Sequence, residues 1–312
     1  MDDGEYHEPL EPPLSELTTA SVRLTRDLRE AAELLEAEEA RFLVDMFETK
    51  QRDRIRNGNR LKALEKSGEP HRLLSHFQDI DRVMEGQIAA AFGKFCENDH
   101  LGQWMLAQKG VGPLVTARLL AFIDWEGSST PSRIWAFAGL VPGLVWEKGA
   151  KRPWNARLKR LCWLLGESFV KNKGRDAFYA DLFFDKKKAL WAHNISGGNR
   201  ERALVLMDRF GKTTEAHRWY RGDVIQETAR MVANGTWPKE KKPWATEQGA
   251  GMPMLPPAHV HAMARRWVVK LFLAHAWEVA QRGKPGFDAA TFSPYVIAHG
   301  TGHSHKIEPP PG

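Results

Sequence analysis

The residues best suited to do chemistry in this sequence fall in one short run, Lys109-Gly110-Val111-Gly112-Pro113, with Arg118 a few residues beyond it. Two glycines separated by one residue admit backbone angles closed to other residues and leave no side chain between main chain and ligand. The flanking segments, Leu106-Ala107 before and Leu114 to Leu120 after, are apolar and read as two helices joined by a very short turn. A helix starting at such a turn presents unpaired amides and the positive end of its dipole, which suits an anion and phosphate above all. Lys109 and Arg118 would add charge-assisted contacts, while Val111 would plug the turn into the helix pair. A contact of this kind reads backbone position and carries little sequence information. The competing reading is a plain tight turn between two core helices.

The stretch downstream is strongly basic, with Lys148, Lys151, Arg152, Arg157, Lys159, Arg160, Lys171, Lys173 and Arg175. Residues 133–190 hold thirteen Arg and Lys against five Asp and Glu, more cations than a solvated helix face needs. Leu158, Leu161, Cys162, Leu165 and Phe169 define a buried stripe at helical spacing, which leaves Arg157 and Arg160 to face outward. The expected nucleic-acid-binding set is therefore Lys109, Gly110, Gly112, Arg118, Lys151, Arg152, Arg157 and Arg160. DNA, RNA or both are the expected partners, and binding through these residues should weaken steeply as salt rises.

Other chemistries find less support in the sequence. Lys109 with Asp124 keeps base-excision chemistry in view, since glycosylases place a lysine and an aspartate near a similar turn. His259, His261, His299, His303 and His305 could chelate a metal if the chain end folded back. Gly211-Lys212-Thr213-Thr214 resembles part of a phosphate loop, but Leu206 stands where its first glycine is required. The acids Glu38, Glu39 and Glu240 lack partner spacing for acid-base work. No catalytic residue, metal or cofactor is expected.

The elements that position these residues follow from pattern and charge. The 312 residues carry a formal net charge of +6 and an isoelectric point near 9.3, distributed unevenly. Residues 1–50 hold fourteen acids against five bases, so the chain is acidic in front and basic behind. Two cysteines, Cys96 and Cys162, are too few for a disulfide scaffold, and the acid-rich start lacks the pattern of a signal peptide; a cytoplasmic protein away from membranes is expected. Long alternating β-branched segments are missing, which predicts an all-α fold: a helical arm and a helical core. The expected division is a flexible acidic tail at 1–18, the arm at 19–100, the core at 101–185, an irregular insertion at 186–257, a late core helix at 258–283 and a tail at 284–312. The arm could pair with a second copy, making a homo-oligomer. Trp163, Trp267 and Trp277 sit in apolar helical patterns and are expected to pack inside.

Taken together, the Gly110-Val111-Gly112-Pro113 turn, Phe137-Ala138-Gly139-Leu140-Val141-Pro142, the basic run leading to Asn155-Ala156-Arg157-Leu158, and Ala177-Phe178-Tyr179 followed by lysines resemble the C-terminal domain of the IS110/IS116/IS902 group of bacterial transposases. The resemblance covers residues 101–182 and extends to the segment 261–280. It implies a module of the helix-hairpin-helix type that binds DNA, and guide RNA in full-length members, within a multimeric recombinase. Such members begin with an RNase H-like nuclease domain and carry a serine nucleophile shortly after the Gly-Leu-x-Pro segment. Residues 1–100 read as helical here, and residues 143–149 contain no serine. The sequence therefore predicts a binding protein related to a mobile element, with any transposase or recombinase chemistry supplied by a nuclease partner. A non-enzymatic assembly protein is the further alternative.

Overall fold

The computed structural model describes residues 23–69, 71–143, 145–236, 251–292 and 307–312. Among these residues the chain is all-α, with twelve helices and, apart from one bridge residue at Val224, no strand. None of these helices is long and apolar enough to cross a membrane.

The arm comprises α1 (Arg26–Glu33), α2 (Ala37–Lys66) and α3 (Arg72–Glu97). A reciprocal capping box starts α2: the Glu36 side chain takes a backbone amide at Glu39, whose own side chain takes the Glu36 amide. Helices α2 and α3 pack as a long hairpin. Phe47 meets Phe92 across it, and two charge pairs lock its register farther out. Arg54 grips Glu85 with two hydrogen bonds of 2.6 and 3.1 Å, and Lys50 reaches Asp81 at 3.3 Å. Leu73, Phe77 and Ile80, spaced four and three apart on α3, remain exposed.

The core module follows with α4 (His100–Ala107), α5 (Pro113–Phe122), α6 (Pro131–Phe137), α7 (Ala156–Lys171) and α8 (Phe178–Ile195). The Asp99 side chain caps α4 through the Gly102 amide, and Asn155 caps α7 through the amides of Arg157 and Leu158. The last helix, α12 (Pro257–Arg282), runs through the middle of the module and packs against α4, α6, α7 and α8. It is buried around most of its circumference, so its sequence shows little amphipathic pattern. The centre is aromatic: Phe272 lies 5.7 Å from Trp104, 5.6 Å from Phe169 and 5.2 Å from Tyr179, ring centre to ring centre. Cys96 and Cys162 are buried in this core, and burial pushes both thiols up to about 12.

The segment 186–257 departs from the expected irregular insertion. Its described part continues α8 and adds α9 (Arg200–Met207), α10 (Glu215–Arg221) and α11 (Gln226–Ala233). These helices enclose a second small core of Trp191, Ala203, Trp219, Tyr220, Val224 and Ala229, closed by Met254, Leu255 and Val260. The sequence masks it because the helices are short, and their apolar residues lie too far apart in the chain to show a period. Gly222, at φ +92°, ends α10 and lets the backbone at 251–254 cross closely. The expected tail also has a fixed end. Trp104 Nε1 and Gln108 Nε2 donate to the carbonyls of Pro310 and Pro311, and His275 Nε2 donates to that of Ile307.

One titration follows from this second core. His259 Nδ1 accepts from the Tyr220 hydroxyl at 2.9 Å, and desolvation, then Arg202 and Arg266, lower its pKa from 6.5 to about 4. The folded state thus favours the neutral ring. Its contribution to stability is fully present above pH 6.5 and declines as pH falls toward 4, because the unfolded chain takes up a proton that the folded chain refuses. The expected result is a His259 midpoint near pH 4 by NMR and a melting temperature that drops between pH 6.5 and 4. That drop is smaller in His259→Gln.

Candidate functional site

The glycine turn forms as the sequence predicts. Helices α4 and α5 are joined by residues 108–112, Gly110 takes φ +99°, and Val111 is buried beneath the turn. The Gly110 carbonyl accepts from Ser168 Oγ of α7 at 2.6 Å, and a Cβ at Gly110 would lie 2.9 Å from Asn172 Nδ2. Gly112 is the N-cap of α5 and faces open space, with Pro113 in the first helical position. The Val115 and Thr116 amides both turn back to the Gly112 carbonyl, which leaves the amides of Gly112 and Leu114 at the exposed end of the helix. Lys109 is half-exposed beside the turn, its ammonium 3.0 Å from the Arg175 carbonyl and 3.4 Å from Asp176.

The predicted arginines divide differently from expectation. Arg118 lies on α5 but points away from the turn into the junction with the arm, where it is 8% exposed. It sits over the Phe47 ring, and burial lowers its pKa, with the opposing charge of Glu48 acting the other way. Arg157 is exposed yet engaged: Asp45 is 2.5 Å and Glu48 3.1 Å from its guanidinium. Helix α2 therefore covers a surface that reading α7 in isolation leaves open. Arg160 stays exposed beside them. Lys151 and Arg152 are exposed in the loop before α7, Arg152 lying 4.6 Å from the Trp146 ring centre.

A second group of cations lies on the opposite flank of α7, where α12 and α8 pack beside it. Lys159, Trp163, Arg265 and Arg266 line one small recess with Gly139 and Leu140. Aromatic planes take the places where carboxylates would be expected. Lys159 Nζ is 3.9 Å from the Trp154 ring centre, Lys270 Nζ 4.1 Å from Trp135, Lys186 Nζ 5.1 Å from Trp267, and Arg265 Cζ 5.0 Å from Trp163. Glu167 is the acid paired here, with Arg265. Among the described residues Lys159, Lys186, Lys187, Arg266 and Lys270 have no carboxylate partner.

Lys159, Lys187 and Arg266 lie close to other cations. Burial and then Arg266 and Arg152 hold Lys159 below the usual lysine range, while burial, Arg202 and Arg265 lower Arg266 from the usual arginine value. Lys187 is lowered by burial and Lys173, and Lys270 by burial. A ribbon rich in cations, with Glu167 set among them beside Arg265, thus extends from Arg152 across α7 and α12 to α8. Its members are far apart in the chain, so the sequence shows only fragments: Lys159 with Trp163, and Arg266 with Lys270, each at i,i+4. Trp163 corrects an expectation, since it is 50% exposed. Arg265, Arg266 and Lys270, missed at the level of sequence, lie in an otherwise apolar helix, and that contrast is the signal that could have found them.

His259 and His261 face different neighbours, Tyr220 and the Glu167 side, and among the described residues no three His, Cys, Asp or Glu side chains converge as a metal site would require. His299, His303, His305 and Glu240 lie outside the described residues. Asp124 accepts from the Gly127 amide and shapes a turn of its own, away from Lys109.

No protein-family model, curated protein or solved structure matches the chain.

Proposed function

We propose that this protein binds DNA or structured RNA through its phosphates, using the cationic ribbon of α7, α8 and α12 together with the amides of the glycine turn. One observation carries the reading: Lys159, Lys186, Lys187, Arg266 and Lys270 have no carboxylate partner among the described residues and lie beside aromatic rings or other cations. Crowding of this sort raises the free energy of the folded protein, and a polyanion relieves it. Ring partners hold the ammonium and guanidinium groups in place without neutralising them. The exposed Trp163 adds a surface on which an unpaired base can stack.

The turn supports the same reading. With Gly110 in the left-handed region, Val111 inserted and Gly112 capping α5, residues 100–122 are read as a helix-hairpin-helix, a module that holds a phosphate on backbone amides. On the resemblance to the IS110/IS116/IS902 transposases, the protein is a mobile-element relative that binds nucleic acid and draws any strand chemistry from a partner. Pairing of two arms through Leu73, Phe77 and Ile80 would make it a dimer.

A binding titration of the full chain against duplex DNA, branched DNA, single-stranded DNA and structured RNA at several salt concentrations tests this. Gly112→Val is the informative variant for the turn, because Gly112 lies at an ordinary φ with open space around it, whereas Gly110→Ala would also strain the fold. The expected result is salt-sensitive binding that Gly112→Val weakens while the protein stays folded, its melting temperature falling only by the cost of a poorer N-cap, about 1 kcal/mol. Absence of binding by folded wild-type protein near 100 mM salt would reject the reading in favour of an assembly role.

A further inference from the structure

The arm and core module enclose a cleft of about 490 Å³ between α2, α5 and α7. Arg118, Arg157, Arg160 and Arg52 line it with the carboxylates of Asp45 and Glu48, and Phe122, Leu161 and Leu164 supply its apolar walls. Two carboxylates against four guanidiniums leave a surplus of two positive charges. Arg157 absorbs both acids at short range, whereas Arg118 Nε stands 3.8 Å from Glu48, beyond hydrogen-bond reach. That Nε is fully buried and has no hydrogen-bond partner. A buried donor left unmatched on a 92%-buried arginine is costly, and a turn of the guanidinium into the cleft would bring it to an acceptor there. Arg160, exposed at the rim, lines the same cleft as Arg118 and opposes its charge.

We infer that this cleft is a binding site for a phosphomonoester dianion carrying a planar or apolar body. The doubly negative group matches the surplus charge, guanidiniums suit phosphate oxygens, and the body rests against Phe122, Leu161 and Leu164. Both a free nucleotide and the 5′-phosphorylated end of a strand present this chemistry. The inference is independent of the cationic ribbon, because the cleft lies on the other flank of α7.

Calorimetric titration of the full chain with AMP, adenosine, a 5′-phosphorylated hexanucleotide and its 5′-hydroxyl counterpart tests it. AMP or the phosphorylated strand binds one per chain, adenosine and the 5′-hydroxyl strand do not bind at this site, and Arg160→Gln weakens the phosphorylated ligand at least tenfold. Arg118→Gln has the same effect if it folds; Arg160, being exposed, keeps the test valid if it does not. Lys159→Gln/Arg266→Gln leaves AMP binding unchanged while weakening long nucleic acids, which separates this site from the ribbon. Tighter binding of AMP identifies a nucleotide site, and tighter binding of the phosphorylated strand an end-recognition site. Equal binding of adenosine and AMP, no saturable binding of either phosphorylated ligand at low salt, or an unaffected Arg160→Gln would each overturn the inference.

Discussion

Replacing Lys159, Arg266 and Lys270 together by glutamine lowers affinity for duplex DNA by about 100- to 1000-fold near 0.1 M salt. The slope of log affinity against log salt flattens by about 2.7, since each phosphate contact contributes about 0.9. The physical argument is specific to these three residues. None has a carboxylate partner among the described residues, so the substitution orphans no acid, and Arg265 keeps its pairing with Glu167. Relief of the repulsion between Lys159 and Arg266 offsets the lost ring contacts of Lys159 and Lys270, and the melting temperature stays near that of the wild type. Binding loss here is therefore separable from unfolding. Neutralising Arg157 instead has a much smaller effect on duplex affinity, because Asp45 and Glu48 already occupy it. If the triple variant binds as the wild type does, the ribbon is not the contact surface, and the turn must hold the ligand by itself.

Phe272→Ala destabilises the protein by about 3–5 kcal/mol, the usual cost of emptying a fully buried aromatic site. Phe272 is fully buried on α12 and touches aromatic partners from three other helices: Trp104, Phe169 and Tyr179. The same cluster carries the last residues of the chain, since Trp104 also donates to the Pro310 carbonyl and Tyr179 bonds to His275, which holds Ile307. The truncation should thus loosen the docking of residues 307–312 together with the core. A urea midpoint and amide exchange at α12 measure both effects. Phe272→Leu retains most of the stability because it refills much of the volume. A loss under 1 kcal/mol for the alanine variant would mean that this cluster does not hold the module together.

Much of the fold is written in local pattern. The glycine turn, its plug at Val111, the stripe Leu158, Leu161, Cys162, Leu165 and Phe169, and the helical character of the arm all form as periodicity and glycine placement require. These features depend on residues within a few turns of one another, and local spacing suffices to specify them. The small core of α9, α10 and α11 was not legible, because its parts are helices of only seven or eight residues that meet only when Met254 and Leu255 return to close them.

The same distinction governs the candidate site. Composition and spacing determined that the chain is helical, that residues 133–190 are rich in cations, and that a backbone anion site could start at Gly112. Which cations remain available was decided by tertiary packing alone. Arg118 and Arg157 meet acids more than sixty residues earlier in the chain, on α2, whereas Lys159 meets Trp154 locally and Arg266 more than a hundred residues later, on α12. A charge acts through space and through the medium around it, so its value to a ligand is set by neighbours that the linear order does not disclose.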